Sequence, residues 1–285
     1  MKVSVVTISY NQGKFLERAI KSVIRQDYND IEYIIIDPGS TDRSMDIVEK
    51  YRSQITNVLF ERDNGPADGL NKGFALATGD ICCCLNADDA YLPGAIGRVV
   101  AAFRRMPEAD VICGHGYMVD AEGRVLRRFY SDRFTPWRYV HGGVTVMQQS
   151  TFFRRAALAD VGGFNPHNHI WWDGELLLDF SLAGKQIVVV NEFWSVFTIH
   201  DQSISGQRGK DTETARRLEA KRQYTRMRLY EKVMGRPLDR RARFGMIIAR
   251  IQKWMLQPKG TLWRCLEKLG IHVTPRFTNQ SLRFR

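Results

Sequence analysis

Short apolar runs alternate with amphipathic stretches through the first hundred residues. Val3–Ile8 is a continuous apolar-type run of strand length, the pattern of a strand covered on both faces. Lys14–Arg25 places Phe15, Leu16, Ala19, Ile20, Val23 and Ile24 on one helical stripe. Ile31–Ile36 predicts a second strand ending in a Pro38-Gly39-Ser40 turn, and a helix is expected from Ser44 to Tyr51. Asn57–Phe60 and Ile81–Leu85 read as the third and fourth strands, with helices over Ala67–Ala77 and Gly94–Arg105. Strands separated by helices of 10–15 residues imply βαβ units and a parallel sheet, so the fold class is α/β. In such sheets ligands gather beyond the carboxyl ends of the strands.

After residue 110 the alternation loosens. Val111–Cys113, Val144–Met147, Ile187–Val190 and Phe193–Thr198 are strand candidates for a mixed sheet, and Glu175–Ser181 is helical. Beyond Gly206 the composition shifts to helix formers and Arg, predicting a long charged helix over Thr212–Met234. A second helix carries Phe244, Ile247, Ile248, Ile251, Trp254 and Met255 on one stripe, with Arg240, Arg241, Arg243, Arg250 and Lys253 nearby. The expected organisation is an α/β domain over 1–205 and a basic helical extension over 206–285.

Charge follows that division. Residues 1–205 carry 21 Lys+Arg against 25 Asp+Glu, whereas residues 206–285 carry 21 against 6. A basic extension selects anionic partners, lipid or nucleic acid. The 44% hydrophobic content over 285 residues excludes a disordered chain, and no run reaches the roughly 20 apolar residues of a spanning helix. The opening run is too short for a secretory signal and lacks a cleavage site. Five cysteines, three of them consecutive (Cys82, Cys83, Cys84), show no zinc spacing. Neighbours on a strand point to opposite faces, so they read as reduced thiols acting as small hydrophobes in a cytoplasmic protein.

Polar residues crowd the predicted strand ends: Thr7-Ile8-Ser9-Tyr10-Asn11, Asp37 through Asp42, Asp63 through Gly73, and Asn86-Ala87-Asp88-Asp89. A parallel sheet brings these to one edge as an acidic, hydroxyl-rich cleft. Neither GxGxxG nor GxxxxGK[ST] occurs. A carboxylate-rich cleft repels a bare pyrophosphate and accommodates one through a divalent cation. Asp88 is the foremost candidate ligand.

The segments VSVVTISYN, DPGSTDRS, DNGPADGLNKGFALATGD and LNADDAYLPGAI resemble, in order, those of family 2 glycosyltransferases of the GT-A fold, a Rossmann-like and mostly parallel sheet flanked by helices. The resemblance covers roughly residues 2–205. It implies an inverting transferase using a nucleotide-activated sugar. Thr7, Ser9 and Tyr10 would line the nucleotide pocket, Asp37 would hydrogen-bond the base, and Asp68 would lie near base or ribose. Asn86-Ala87-Asp88 would occupy the DxD motif, with Asn86 in place of its first acid and Asp88 on a Mn²⁺ or Mg²⁺ ion. Gln148–Phe152 and Val161–Phe164 resemble the segment before the catalytic carboxylate. Trp172-Asp173-Gly174-Glu175-Leu176 resembles the ED-type motif, which puts the general base on Asp173, with Glu175 as runner-up. Thr198–Ser205 resembles the His-containing segment near the diphosphate, making His200 a metal ligand or phosphate donor.

Each residue also has a plain reading. Asp37 and Asp42 flank a turn, Asp89 could cap the following helix, Glu175 could be a solvated helix-start acid, and Asn71 and Lys72 could simply continue a helix. His167 and His169 could face an acceptor; Trp171 or Trp172 could stack on a sugar or fill core. The expected partners are a nucleotide-sugar donor, UDP-sugar favoured, and a polysaccharide or lipid-linked glycan acceptor. The 244–255 stripe also suits peripheral contact with an anionic membrane at the inner face of the cell membrane, the catalytic domain, or a second subunit. No nucleic acid is expected. The competing classes are a nucleic-acid binder using the basic tail and an inactive sugar-nucleotide sensor, the latter motivated by Asn86 and Trp172.

Overall fold

The computed structural model describes residues 1–201, 203, 206 and 212–256, with 258, 260, 262 and 266. Gln202, Ile204 and Ser205 of the expected His-containing segment, and most of 257–285, lie outside the described residues.

The first half follows the predicted alternation. Strands β1 (Val3–Ile8), β2 (Ile31–Asp37), β3 (Asn57–Phe60) and β4 (Ile81–Asn86) are connected through helices α1 (Leu16–Ile24), α2 (Ser44–Lys50) and α3 (Pro66–Ala75). β5 (Ala90–Tyr91) and α4 (Ala95–Arg105) follow. The second half contributes β6 (Val111–Val119), β7 (Val125–Phe129), α5 (Pro136–Val140), β8 (Thr151–Arg154), α6 (Arg155–Asp160), α7 (Trp172–Leu182) and β9 (Ile187–Thr198). Helices α8 (Glu213–Met234) and α9 (Ala242–Leu256) follow in the basic region.

One nine-stranded sheet runs in the order β3-β2-β1-β4-β8-β6-β9-β5, with β7 paired to β6. β1 to β4 are parallel, and register aligns Ile8 with both Ile36 and Asn86. The exits of β1, β2 and β4 therefore lie side by side. β8 enters antiparallel between β4 and β6, while β6 and β9 are parallel. The sheet is mixed, as expected for the second half.

Both faces are covered, which explains why the strands read as unbroken apolar runs. Val3, Val5, Ile35 and Cys83 pack with α1 and α4, while Val6, Ile34, Cys82 and Cys84 pack with α3, α7 and residues of α8. The cysteine triplet thus divides between the two faces, and Cys82, Cys83, Cys84 and Cys113 are free and buried. Leu229 and Tyr230 of α8 belong to the same core.

Two strand expectations are corrected. Val144–Met147 is not a strand. Asp132 accepts from Thr145 N and Oγ1 at 2.9 Å, and Met147 N donates to Ser131 Oγ at 2.9 Å. Side chains satisfy this backbone, and the strand begins only at Thr151. The two runs at 187–190 and 193–198 form a single strand, β9, with a register irregularity opposite Cys113 and His115.

Among the described residues, no helix is long and apolar enough to cross a membrane. α9 has two unlike faces. Ala242, Gly245 and Ala249 are buried, and a Cβ on Gly245 would meet the His141 ring at 2.3 Å, so only glycine permits this approach. Phe244, Ile247, Ile251, Trp254 and Met255 point outward and are more than half exposed.

Candidate functional site

The aligned exits of β1, β2 and β4 gather the predicted donor side. Asp37 is fully buried, and its own turn supplies its donors: Gly39 N at 3.0 Å, Ser40 N at 2.6 Å and Ser40 Oγ at 2.7 Å. The Ser40 hydroxyl also accepts from Asn11 N, and Asn11 Oδ1 accepts from Thr41 N, tying the first two strand-end loops together. Ser9 Oγ is buried with no partner among the described residues, and Tyr10 is exposed.

Thr7 faces elsewhere. It shares strand parity with Val3 and Val5, and its hydroxyl meets Tyr33 OH at 3.2 Å inside the core. Its side chain is withdrawn from the strand-end edge.

Asp68, in the first turn of α3, accepts from Asn64 N and Nδ2. The sequence reading did not single out Asp63 beside it. Burial raises the Asp63 carboxyl above its ordinary range, the Gly65 N–H opposes this, and Asp68 and Asp37 add like charge. Asp37, Asp63 and Asp68 are therefore electrostatic neighbours. Lys72 is engaged with Glu61 and the Arg62 carbonyl. Asn71 bonds both the N–H and the carbonyl of Phe164, pinning the later segment onto α3.

The turn after β4 meets the end of β9. Asp88 Oδ2 lies 3.0 Å from His200 Nε2, and the His200 ring rests on Phe15 with centroids 4.4 Å apart. Arg18 on α1 donates to the Asp88 carbonyl at 2.6 Å and Thr198 Oγ1 at 2.5 Å. Asp89 is fully buried and accepts from Thr198 N, Gln149 Nε2 and Asn86 Nδ2. Burial, then the adjacent Asp88, pushes its carboxyl well up against those hydrogen bonds. It does not cap a helix.

Among the described residues, no group of three or more His, Cys, Asp or Glu side chains could hold a metal by itself. The Asp88–His200 pair still fits a hard divalent cation of the Mn²⁺ type. Carboxylate oxygen and imidazole nitrogen are suitable donors. Their 3.0 Å separation matches the edge of an octahedron with ligands at roughly 2.1 Å. Such ions commonly take one or two protein groups and complete their shell with phosphate oxygens and water.

The predicted acceptor side falls around the start of α7. Trp171 adopts a left-handed conformation (φ 62°) just before the helix and is partly exposed, while Trp172 is buried against Phe164. Trp172 is therefore core. Asp173 and Glu175 both fall in the first turn, yet their surroundings differ. Glu175 is buried and receives Arg228 Nη1 and Nη2 at 2.7 and 2.5 Å, Asn165 Nδ2 at 3.1 Å and Asn168 Nδ2 at 2.6 Å. These donors, Arg228 chief among them, outweigh burial and hold its carboxyl below its ordinary value.

Asp173 sits where a half-buried Tyr139 crosses the helix. A Cβ on Gly174 would lie 1.9 Å from the Tyr139 hydroxyl, so glycine is required there. Burial raises the Asp173 carboxyl above its ordinary range, opposed only by helix-start N–H groups. Its charge is felt at Cys84 on β4, whose thiol is raised first by burial and then, against the Gln148 hydrogen bond, by Asp173. Asp173 thus lies beside the strand that leads to Asn86 and Asp88. The His169 ring lies against Gly65, bringing the loop before α7 to the Asp63–Asp68 segment.

Known proteins resemble this chain in sequence and in fold. An uncharacterised glycosyltransferase of Nostoc sp. is 30% identical over 211 residues, covering 70% of this chain and 65% of that protein. The matched part therefore spans just under two thirds of that relative. A PGL/p-HBAD biosynthesis glycosyltransferase of Mycobacterium bovis is 28% identical over 166 residues, covering 57% of this chain and 62% of the relative. S. aureus TarS 1-349 in complex with UDP-GlcNAc superposes with a TM-score of 0.64 at 21% identity, covering 94% of this chain and 78% of the other. The mannosyltransferase PcManGT of Pyrobaculum calidifontis, in complex with GDP-Man and Mn²⁺, gives 0.60 at 14% identity, covering 95% and 81%. At these identities both structures establish a shared GT-A fold. The family model described as Glycosyl transferase family 2 matches residues 4–162, more than half of the chain, and the chain belongs to that family.

Proposed function

We propose that this chain transfers a sugar from a nucleotide-sugar donor, UDP-sugar favoured, to a hydroxyl of a polysaccharide or lipid-linked glycan, with inversion at the anomeric carbon. The observation that carries this reading is the contrast at the start of α7. Glu175 is locked by Arg228, whereas Asp173 is half-buried, raised by burial and served only by helix-start N–H groups. A carboxylate with a raised pKa is a stronger base than an ordinary one, and a positioned base contributes about 10²–10⁴-fold. Asp173 takes the proton of the acceptor hydroxyl as that oxygen attacks the donor from the face opposite the leaving diphosphate. Glu175 holds the helix start that carries Asp173.

On the donor side, the orphaned Ser9 hydroxyl and the exposed Tyr10 offer contacts to the nucleoside, with Asp37 and Asp68 at the base and ribose. Asp88 and His200 would hold Mn²⁺ or Mg²⁺, which supplies charge neutralisation for the departing diphosphate. Fold neighbours carrying UDP-GlcNAc, and GDP-Man with Mn²⁺, support a nucleotide-sugar donor and a divalent metal. The outward apolar face of α9, with arginines beside it, supports a peripheral contact with anionic membrane, which would put lipid-linked acceptors within reach.

The test is thermal stabilisation by UDP and GDP, with and without Mn²⁺, coupled to a donor-consumption assay. Ligand binding to the folded state raises its stability by mass action. UDP with Mn²⁺ is expected to raise Tm, Asp88→Ala to abolish the metal-dependent part, and Asp173→Asn to keep UDP binding while losing turnover. Equal shifts in wild type and Asp88→Ala overturn the metal assignment, and full turnover in Asp173→Asn overturns the base.

A further inference from the structure

The amide at position 86 is held from two sides. Asn86 Nδ2 lies 3.2 Å from Asp89 Oδ2 and 3.2 Å from Gln148 Oε1. Gln148 is oriented independently, because its Nε2 donates to the Cys84 carbonyl at 2.8 Å. Its Oε1 must then turn to Asn86. Asp89 is fixed just as firmly: Oδ1 accepts from Thr198 N at 2.9 Å, and Oδ2 accepts from Gln149 Nε2 at 2.6 Å. Both hydrogens of the Asn86 amide are thereby committed. Its remaining polar atom, Oδ1, stands at the exit of β4 on a half-buried residue.

We propose that Asn86 is required as an amide: Asp89, Gln148 and Gln149 form a positioning frame that consumes its two hydrogens and presents Oδ1 as a neutral acceptor to a hydroxyl of the bound donor. This rests on the transferase reading above and reverses the simplest view of Asn86 as a weakened acid. A carboxylate at position 86 has no hydrogen to give. It would turn an oxygen toward Asp89 Oδ2 and Gln148 Oε1, the two atoms that now accept from the Asn86 amide. Such unsatisfied buried groups are costly. The frame also spans the fold. Gln148 and Gln149 lie on the turn before β8, and Thr198 lies two residues before His200, so the orientation of Asn86 is linked to the segment that carries His200.

Restoring the acid is therefore a loss. In the full chain, Asn86→Asp is expected to lower donor turnover per unit KM by at least about tenfold, the effect of roughly one lost charge-assisted hydrogen bond. Asp89→Asn alone is also impaired, since the new amide's NH₂ joins those of Asn86 and Gln149 with one acceptor fewer. The exchange Asn86→Asp with Asp89→Asn returns a hydrogen to that one contact, while Gln148 Oε1 and Gln149 Nε2 still face like groups, and recovers part of the loss; the coupling is read in UDP Kd on folded protein, a readout that a merely structural role would not move. Gln148→Leu frees one amide hydrogen and raises the UDP Kd measured by calorimetry, while UDP binding in Asp173→Asn is unchanged. If Asn86→Asp fails to fold, a folded and active exchange variant supports the same conclusion. Asn86→Asp at or above wild-type turnover, or strictly additive losses in the exchange, overturns the proposal while leaving the transferase reading intact. A wild-type protein that binds neither UDP nor GDP and consumes no sugar nucleotide overturns both.

Discussion

Arg228 grips Glu175 with both terminal nitrogens, at 2.7 and 2.5 Å, across 53 residues of chain. Lys232, one turn further along α8, bonds Asp179 on the same helix α7. The basic region is thus anchored to the helix whose first turn carries Asp173. Its charge is directed partly inward, against acids of the α/β body.

Arg228→Ala should therefore cost both stability and activity. Removing one partner of a fully buried pair costs roughly 3–5 kcal/mol. Arg228 is about one-third exposed and two asparagines remain on Glu175, so a loss of about 2–3 kcal/mol is expected. Denaturant unfolding checks it. Turnover should fall further than donor affinity, because the helix start carrying Asp173 loses its brace while the nucleotide side keeps its contacts. An unfolding midpoint equal to wild type would show that the pair is not what holds α7.

Asp173 gives a prediction whose sign separates function from stability. Its carboxyl is raised by burial, so a base at this position loses activity as pH falls through a value above the ordinary carboxylate range. The acid limb of the rate profile should lie correspondingly high. Linkage runs the other way for stability: the folded state binds the proton more tightly than the unfolded one, so stability declines as pH rises, and the cost is complete only above the folded value. Asp173→Asn should thus lose about 10²–10⁴-fold in turnover yet raise Tm at pH 7. A lowered Tm would mean that the carboxylate is structurally satisfied and not held ready for a substrate.

These contacts also show what the sequence could and could not disclose. The four parallel strands were legible because burial on both faces leaves unbroken apolar runs, as at Val3–Ile8 and Ile31–Asp37. Thr7 was misjudged although the signal was present: it shares parity with Val3 and Val5 and goes to the core with Tyr33. The Val144–Met147 run has strand composition, but its backbone is claimed by Asp132 and Ser131, an arrangement with no local period. Asp173 and Glu175 sit two residues apart, and only the resemblance ranked Asp173 ahead of Glu175; no local pattern told them apart. The physical difference comes from Arg228, far along the chain. Asp89, Gln148 and Gln149 were hidden for the same reason, since a buried polar frame follows neither a 2-residue nor a 3.6-residue repeat.

Glu32 provides an acid-stability test outside the candidate site. It is buried, which by itself raises its carboxyl, but Ser4 Oγ at 2.5 Å, Thr78 N at 2.7 Å, Thr78 Oγ1 at 2.7 Å and Lys2 Nζ at 3.0 Å outweigh burial and bring it down to about 2. A carboxyl depressed in the folded state contributes stability that is complete above its unfolded value and is lost as pH falls through the folded one. The contribution is of order 3 kcal/mol at neutral pH and drains away between pH 4.5 and about 2. Glu32→Gln should lower stability at pH 7 by a comparable amount and flatten that acid transition. An unchanged acid transition would show that other carboxylates govern it.

The two faces of α9 predict how the protein meets a lipid surface. Ala242, Gly245 and Ala249 hold the helix to the body, leaving Phe244, Ile247, Ile251, Trp254 and Met255 outward, with Arg243 and Arg250 exposed beside them. No acidic residue occurs from Arg240 to Leu266. Apolar insertion and basic attraction act together in such a helix, each cation near an anionic surface adding about 1 kcal/mol that salt screens over roughly 8–10 Å. Full-length protein should co-sediment with vesicles containing anionic phospholipid, bind purely zwitterionic vesicles weakly, and release at high salt. Replacing Phe244, Ile247 and Trp254 with Ser should abolish sedimentation while leaving turnover on a soluble acceptor unchanged, because these side chains point away from the core. Equal binding to both vesicle types would leave the arginines without a role, and loss of soluble-acceptor turnover would place the stripe against protein instead of lipid.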